Sequence, residues 1–526
     1  MKLCYFARLC GRSEDHVLSE VLVPPGRSSD FFLCCLFIAW NVPYTHDDWD
    51  WGLKESWALW RSGAMNSRYA GTFFVLIMTR SPLIKTLVMG SVMFLLPLLS
   101  VRLAAPKKGW DRFPLVLLAG GVLFAMPLFC WRQVFGWVSA FANFVLGGLF
   151  LLLVLLLWQR AFSSRKGSVA LLSLALFFCC LVTQLFAENI SVMLLAASLV
   201  VAGYAVITRR ARLPALASLA ACALGTWLMF HNALYSDLMS NGQALDGIRR
   251  LAFSPDAPLP EIVFTVTTRY FTTYEALPGL FENFPAVSGL LAAGCVWRLS
   301  RQDAPKWAVA ATGVWMGGYS LFCAWMMHHL ILNPQWVHPW PLLRAAAPLL
   351  QLGLTAVIVV RDRPETRVSR LLLLAVAAGM VVPFALIQEG GPRCLFPSAL
   401  CLLLCGLSLV SDFPWPRPCR LLAALALAAA VGFHVWVYAL IGENEAVRME
   451  QIDLAARGES SSAVFPTESE SHSYFWGRNP GNPDRVQSFR RFYGLPEHVE
   501  LVFLPYGSAR YWPEIPEDMW EQASRF

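Results

Sequence analysis

Charged side chains are scarce in this chain, and their scarcity excludes an ordinary soluble protein. Asp, Glu, Lys and Arg make up 15% of the 526 residues, whereas soluble proteins carry about 25%. Hydrophobic residues make up 56%, and mean hydropathy is +0.51. The hydrophobic residues lie in long unbroken runs, such as 141–158 and 171–186, whose length is typical of helices that cross a bilayer. We therefore expect an all-α polytopic membrane protein.

Other features are missing as well. Residues 1–30 hold no apolar stretch before Phe31, so no cleavable signal peptide is evident, and the first span is expected to act as an uncleaved signal. No CxxC pair has a second partner pair, which argues against a structural zinc site. The 14 cysteines lie mostly inside apolar runs, which predicts small buried side chains rather than a disulfide framework.

The net charge of +7 comes from cations in short loops, so it indicates membrane orientation rather than nucleic-acid binding. Loops rich in Lys and Arg alternate with loops that nearly lack them, and the positive-inside rule places the basic loops in the cytoplasm. Thirteen spans fit between these loops, with the N-terminus inside and the C-terminus outside. The predicted spans are 25–44, 83–101, 113–130, 141–158, 168–186, 190–207, 213–233, 281–297, 307–326, 342–360, 371–387, 394–410 and 421–440.

Three outer segments are long. They are residues 45–82, residues 234–280 and a soluble tail, 441–526, which follows a transmembrane domain at 1–440. In the first segment, Leu53, Trp57 and Trp60 share one helical face, which predicts an amphipathic helix in the membrane interface with tryptophan as its anchor. Residues 69–79 predict a second short interfacial helix.

The tail shows a weak α/β alternation. Asp484 is placed to cap a helix that runs through Tyr493, with Gly494 just beyond its end. Residues 499–504 predict a strand. A segment of this size, rich in Pro and Gly, is expected to lean on the membrane part.

The densest polar cluster directly follows the first span. It holds Asp47, Asp48 and Asp50, preceded by His46. A solvated loop is the ordinary interpretation, but charges near hydrocarbon are costly, and neighbouring carboxylates raise one another's pKa, which serves proton transfer. Asp47 and Asp48 are therefore candidate catalytic residues, and Asp50 and His46 are candidate acceptor or metal contacts.

Sugar transfer suits this cluster. A glycosyl donor passes through an oxocarbenium-like transition state, and the acceptor hydroxyl needs a carboxylate to take its proton. Asp48 is preferred as that base, because Trp49 and Trp51 beside it are expected to exclude water and raise its pKa.

The leaving phosphate of such a donor needs cations. Candidates on the outer face are Arg68, with Tyr69 beside it, Arg132, Arg269 and Arg393. Arg393 follows two glycines and a proline, where small residues let a phosphate approach the backbone. A snorkelling interfacial arginine is the equal alternative for Arg393.

Other polar residues carry weaker signals. Glu188 and Asn189 lie at an outer turn, where helix capping is the simpler interpretation and substrate contact the other. His328, His329 and His338 flank an aromatic outer loop, but adjacent histidines do not share a helical face, so a metal triad is not favoured. Whether a divalent metal takes part stays open, and the sequence requires no cofactor.

Short motifs spread over nearly the whole chain carry a resemblance. They are HDDWDWG at His46–Gly52, NSRYAG at Asn66–Gly71, WVSAFANF at Trp137–Phe144, AENIS at Ala187–Ser191, GGPRCLF at Gly390–Phe396 and FRRFYGLP at Phe489–Pro496. In their order and membrane placement the chain resembles the GT-C-fold glycosyltransferases, and more closely the bacterial glucosyltransferase-domain and O-antigen glucosyltransferase-like proteins.

The resemblance implies an inverting transferase of the bacterial inner membrane that uses a polyprenyl-phosphate sugar. It implies that Asp47 or Asp48 is the catalytic carboxylate and that Arg393 holds the lipid phosphate. The implied partners are the lipid-linked donor, a glycan, lipid or protein acceptor and the bilayer, together with a flippase and a donor synthase.

Two other classes remain open. A transporter or flippase for lipid-linked glycans is expected to carry ionisable residues near the bilayer midplane, whereas the polar clusters here lie at the outer ends of the spans. A polymerase or ligase also acts on outer-face glycans, but a large loop dominated by Arg and His is expected there. The sugar, the lipid and the acceptor are not identified by these patterns.

Overall fold

Helices dominate the computed structural model, which describes residues 28–63, 66–105, 112–163, 168–244, 249–302, 304–332, 341–362, 364–388, 390–477 and 479–526. The first helices are α1 Ser28–Trp40, α2 Asp47–Gly52, α3 Ser56–Ser62, α4 Tyr69–Met78, α5 Pro82–Ala104, α6 Phe113–Phe124, α7 Leu128–Val134, α8 Val138–Ala140, a π-helical turn Phe141–Val145, α9 Leu146–Ser163, α10 Val169–Gln184, α11 Glu188–Thr208 and α12 Arg212–Phe230. The remaining helices are α13 Ala233–Asn241, α14 Leu259–Thr272, α15 Leu277–Glu282, α16 Pro285–Ser300, α17 Lys306–Leu332, α18 Pro341–Arg361, α19 Pro364–Gly379, α20 Pro383–Leu386, α21 Pro392–Leu409, α22 Arg417–Ala456, α23 Pro483–Tyr493 and α24 Glu517–Glu521.

The helices confirm a polytopic membrane protein. Within the described residues, eight helices are long and apolar enough to cross a membrane, or up to ten when each of two sharply bent pairs counts as one span. These ten coincide with ten of the thirteen predicted spans. The other three predicted spans coincide with α1, α10 and α17, which this criterion does not count.

Two breaks in the apolar helices occur at prolines. The axis turns by 97° between α6 and α7, where Pro127 precedes α7, and by 60° before α16, which begins at Pro285. Proline lacks the N–H that would continue a helix from the preceding turn. The short helix α7, which carries Arg132 and Gln133, is thereby turned away from the axis of α6.

The first outer segment is built from three short helices. The predicted helix at 69–79 is confirmed as α4. The predicted amphipathic helix that includes Leu53 is interrupted, because Leu53 is the C-cap of α2 and α3 begins only at Ser56. Arg80 explains the interruption, since its guanidinium donates to the carbonyls of Trp51 at 3.0 Å and Leu53 at 2.5 Å, which ends α2 there.

The second outer segment, predicted at 234–280, contains α13, α14 and most of α15. A two-residue strand, β1 Arg250–Leu251, pairs antiparallel with β2 Ile387–Gln388. This pairing holds the predicted second outer segment against residues 387–388, which precede Arg393 in the sequence.

The tail begins on a membrane helix. Helix α22 runs unbroken for 40 residues, about 60 Å at 1.5 Å per residue, so the predicted boundary at residue 440 falls inside it. Beyond it, β3 Ser462–Thr467 pairs parallel with β4 Glu500–Tyr506, and β4 pairs antiparallel with β5 Ser524–Arg525.

The predicted tail helix is α23, and Gly494 closes it with φ 68°. Its N-cap is Asn482 rather than Asp484, because the Asn482 side chain accepts a hydrogen bond from Arg485 N at 2.9 Å. The tail also leans on the membrane part, as expected. Trp49 is buried in the same apolar cluster as the tail residues, and its ring lies 5.2 Å from that of Phe489, edge to face.

The cysteines behave as buried apolar side chains. All twelve cysteines in the described part of the chain are free, and nine of them are buried. The expectation of small buried side chains is confirmed for these positions.

Candidate active site

The acidic cluster forms the short helix α2, which six residues separate from the end of α1. His46, the N-cap of α2, has φ 53°, a positive value that is uncommon for residues other than glycine. The N–H of Asp48 donates to the Thr45 carbonyl at 3.0 Å. The turn makes the three aspartates share one short helix while their side chains point in different directions.

Asp48 points into the protein. Its carboxylate accepts hydrogen bonds from Thr45 N at 3.0 Å, Ser139 N at 2.9 Å and the Ser139 hydroxyl, and the residue has no exposed surface. Burial raises the pKa of Asp48 to about 7, although these hydrogen bonds oppose the shift. The raised pKa agrees with the expectation for this residue, but the carboxylate ties α2 to the start of α8 and offers a substrate no access.

Asp47 points to the tail. Its Oδ1 lies 2.6 Å from Arg485 Nη2 and 2.8 Å from His46 Nδ1, and its side chain is 36% exposed. Burial would raise the pKa of Asp47, but the hydrogen bonds and charges of His46 and Arg485 lower it below its ordinary value. Asp47 is therefore an ionised, accessible carboxylate held by two partners.

Arg485 is a residue that the sequence patterns did not single out. It bridges the cluster, because its Nη1 donates to Asp50 Oδ2 at 2.9 Å while its Nη2 meets Asp47. Ser488 donates to Asp50, and Arg491 pairs with Glu55. Residues 485, 488 and 491 recur every three positions on α23, and this spacing, opposite an acidic segment, was the available signal.

Glycines allow the tail to approach this closely. A side chain at Gly52 would overlap the ring of Phe492, and a Cβ at Gly477, which has φ 60°, would lie 3.2 Å from His46 Cδ2. Residues of the tail thus pack closely against the end of α2 at Gly52 and against His46.

Arg68 and Glu188, which were predicted separately, form one partly buried pair. Arg68 Nε donates to Glu188 Oε1 and Oε2 at 3.1 and 3.0 Å, and Tyr235 donates to the same carboxylate. Arg249 Nη2 lies 3.8 Å from Glu188 Oε1. The charge of Arg68 is therefore largely matched by Glu188, which fits a structural tie better than a phosphate ligand.

The neighbours of this pair are also engaged within the protein. The backbone carbonyl of Tyr69 accepts a hydrogen bond from Trp60 Nε1 at 3.0 Å. The side-chain amide of Asn189 donates to the Cys394 carbonyl at 3.0 Å. Asn189 is buried. Its bond links the start of α11 to the turn that carries Arg393.

Arg393 lies over an aromatic ring. Its Cζ is 5.0 Å from the ring centre of Trp137, and its Nη1 donates to Gln133 Oε1 at 2.7 Å. A Cβ at Gly391 would come within 2.6 Å of that same oxygen, so glycine is needed there. The contacts of Arg393 with the described residues are to a neutral amide and a neutral ring.

Arg269, on α14, makes its contacts within the protein. Its Nε donates to the Ala385 carbonyl at 3.2 Å, and its Nη2 lies 3.7 Å from Glu275 Oε2. A Cβ at Gly390 would come within 2.9 Å of Glu275 Cβ. Arg269 therefore borders the turn before Arg393 but is paired within the protein.

The acidic helix and Arg393 are joined through Trp137. The His46 ring lies 5.4 Å from the Trp137 ring, which Arg393 covers on its side. The fold thus brings His46 of the acidic cluster and Arg393 to one tryptophan, while Arg485 holds Asp47 and Asp50. Arg68 and Glu188 form a separate network with Tyr235 and Arg249.

A metal site does not emerge from the part of the chain that the structure describes, where no three His, Cys, Asp or Glu side chains cluster as ligands. The side chains of His328, His329 and His338 lie outside the described ones. No protein-family model, no curated protein and no solved structure matches this chain.

Proposed function

We propose that this chain is an inverting glycosyltransferase with a GT-C-like arrangement of about thirteen spans. It moves a sugar from a polyprenyl-phosphate donor to a glycan or another acceptor at the outer face of a bacterial inner membrane. Its N-terminus lies in the cytoplasm and its tail in the periplasm. The observation that carries the proposal is Asp47, a partly exposed carboxylate joined through His46 and Trp137 to Arg393, whose contacts with the described residues are to neutral groups.

Asp47 rather than Asp48 is the base in this proposal. A single displacement forms a bond from the acceptor oxygen to the anomeric carbon while the bond from that carbon to the phosphate oxygen breaks. The hydroxyl proton passes to Asp47, and the leaving lipid phosphate keeps the electron pair. Because Arg485 and His46 keep Asp47 ionised, its negative charge also stabilises the positive charge that develops at the anomeric carbon.

Arg393 takes the leaving phosphate. It is only partly buried, it donates to a neutral amide oxygen, and its guanidinium lies over the ring of Trp137. A guanidinium donates two parallel hydrogen bonds to a phosphate. Asp48 serves as a positioning residue, since its bonds to Ser139 hold α2 against the helix that carries Trp137 at its N-cap.

The test is sugar transfer by the full chain reconstituted in vesicles with a polyprenyl-phosphate sugar, at matched protein levels. Loss of a positioned base costs about 10²–10⁴-fold in rate, so Asp47→Asn should lose activity on that scale. Asp518→Asn, at an exposed position of α24, is the control and should keep full activity. Activity of Asp47→Asn within about threefold of wild type, far above the loss expected for a base, would refute this assignment.

A further inference from the structure

Gln133, a residue that none of the sequence patterns pointed to, holds the guanidinium of Arg393. Its Oε1 accepts the hydrogen bond from Arg393 Nη1 at 2.7 Å, and the residue is buried, with 3% of its surface exposed. The same guanidinium lies over the ring of Trp137, with its Cζ 5.0 Å from the ring centre. An amide oxygen and an aromatic ring, both neutral, therefore orient the cation.

The position of Gln133 is fixed by its own helix. Trp131, two positions earlier on α7, has no exposed surface. Its Nε1 donates to the Tyr438 hydroxyl at 3.0 Å, and its ring stacks on that of His434 with ring centres 3.6 Å apart. These contacts hold α7 against α22, so the amide of Gln133 extends from an anchored backbone.

The chain before Arg393 leaves space for this hydrogen bond. A Cβ at Gly391 would lie 2.6 Å from Gln133 Oε1 and 2.8 Å from Arg393 Nη1. Any larger residue at position 391 would therefore push the donor and the acceptor apart. The side-chain amide of Asn189 donates to the Cys394 carbonyl at 3.0 Å, which holds the residue that follows Arg393.

A neutral amide is a different partner for an arginine from a carboxylate. Arg68 is held by the carboxylate of Glu188, which also matches its charge. Gln133 takes one of the five N–H groups of the Arg393 guanidinium and adds no negative charge. An oriented guanidinium donates two parallel hydrogen bonds to a phosphate, and orientation before binding lowers the cost of binding.

We propose that Gln133 is a positioning residue, which orients Arg393 toward a phosphate without an ion pair that would cancel its charge. The inference rests on the proposed function, in which Arg393 receives the phosphate of the lipid-linked donor. It adds a requirement to that function: position 133 must supply a hydrogen-bond acceptor that carries no negative charge.

Two substitutions separate this role from a simple tie between α7 and α21. Gln133→Met keeps the length of the side chain but removes the acceptor, whereas Gln133→Glu keeps the acceptor and adds a negative charge. For a simple tie, Gln133→Glu should be the better variant in every measurement, because an ion pair with Arg393 replaces the hydrogen bond. For a positioning residue, Gln133→Glu should be at least as stable as Gln133→Met and yet bind a phosphate more weakly.

The experiment measures equilibrium binding and the denaturation midpoint of the full chain in nanodiscs of zwitterionic lipid. The probes are a fluorescent long-chain isoprenyl monophosphate and the uncharged isoprenol of the same length. A charge-assisted hydrogen bond corresponds to about tenfold or more in affinity, so wild type should prefer the monophosphate by at least that factor. Gln133→Glu should lose about tenfold or more of the monophosphate affinity, Gln133→Met a smaller factor, and neither should change isoprenol binding.

Gln522→Glu is the control for the added charge, because Gln522 is exposed beside α24, and it should bind both probes as wild type does. Monophosphate binding by Gln133→Glu that equals or exceeds that of Gln133→Met would make Gln133 a simple tie and overturn the inference. Unchanged binding in Gln133→Met would also overturn it, even if Gln133→Glu failed to fold.

The outcomes also distinguish this inference from the proposed function. A preference for the monophosphate in wild type that neither variant alters would reject the role of Gln133 and leave the proposed function standing. A preference that depends on Gln133, without sugar transfer from a polyprenyl-phosphate donor, would keep the positioning role and reject the transferase. Equal binding of monophosphate and isoprenol by wild type would reject Arg393 as the phosphate ligand and Gln133 with it.

Discussion

Replacing Asp48 with asparagine tests the buried carboxylate that holds the acidic helix in place. The wild-type carboxylate accepts three hydrogen bonds, two from Ser139 and one from Thr45, and has no exposed surface. Asparagine has nearly the same shape and carries no charge. The substitution therefore removes a buried charge while it leaves the packing around residue 48 almost unchanged.

The size of the effect follows from the pKa of Asp48. Burial raises that pKa to about 7 in the folded protein, whereas an unfolded Asp titrates near about 3.9. The folded state thus binds the proton more tightly, so the stability tied to protonated Asp48 is complete below about pH 4 and is lost as the pH rises through about 7. At about 1.4 kcal/mol per pKa unit, this loss amounts to roughly 4 kcal/mol.

Asparagine cannot lose a proton, so the variant escapes this loss. We expect Asp48→Asn to gain stability relative to wild type as the pH is raised from about 5 to about 8. The assay is the denaturation midpoint of both proteins in detergent at several pH values, with Asp518→Asn as an exposed control. A stability difference that is constant with pH, or one that turns against the variant as the pH rises, would show that the pKa of Asp48 is not raised in the folded protein.

Three further substitutions or fusions test other parts of the site and the topology. Arg485→Gln removes the cation that helps lower the pKa of Asp47, so the acid limb of the pH–rate profile for sugar transfer should move to higher pH. The control Arg491→Gln breaks only the pair with Glu55 and should leave the acid limb at its wild-type pH. Identical pH profiles for both variants would remove Arg485 from the mechanism. Arg393→Lys keeps the charge but loses the two parallel hydrogen bonds that a guanidinium donates, so it should retain more sugar transfer than Arg393→Ala. The kcat/KM of Arg393→Ala should fall about 10–100-fold. Wild-type activity in both variants would make Arg393 an interfacial anchor. The proposed topology is tested by fusing alkaline phosphatase after Gly458, just beyond the end of α22, where the enzyme should be active, and after Arg165, where it should be inactive. The reverse pattern would place the acidic helix on the cytoplasmic side.

Local sequence properties determined the membrane character of the chain and most of its helices. Long apolar runs and the alternation of basic loops predicted segments that coincide with helices along the whole described chain, because the cost of an unpaired backbone group in lipid makes such a run helical wherever it stands. The tail helix and its Gly494 terminus followed from equally local signals, since a glycine tolerates the positive φ that closes a helix. The break after Leu53 could not be predicted in this way, because it depends on the distant side chain of Arg80.

The roles of the aspartates were decided only by the tertiary structure. Sequence separates Asp47 from Asp48 by one position, and both follow the same span. The fold buries Asp48 against Ser139, 91 positions away, and turns Asp47 toward Arg485 on the tail, while Asp50 meets that same arginine across 435 positions. Arg68 was likewise predicted as a candidate phosphate ligand, yet it is paired with Glu188, 120 positions away. Which carboxylate is accessible and which arginine is paired depend on these long-range contacts, because solvation and pairing of a charge are set by what packs around it and not by its neighbours in the chain.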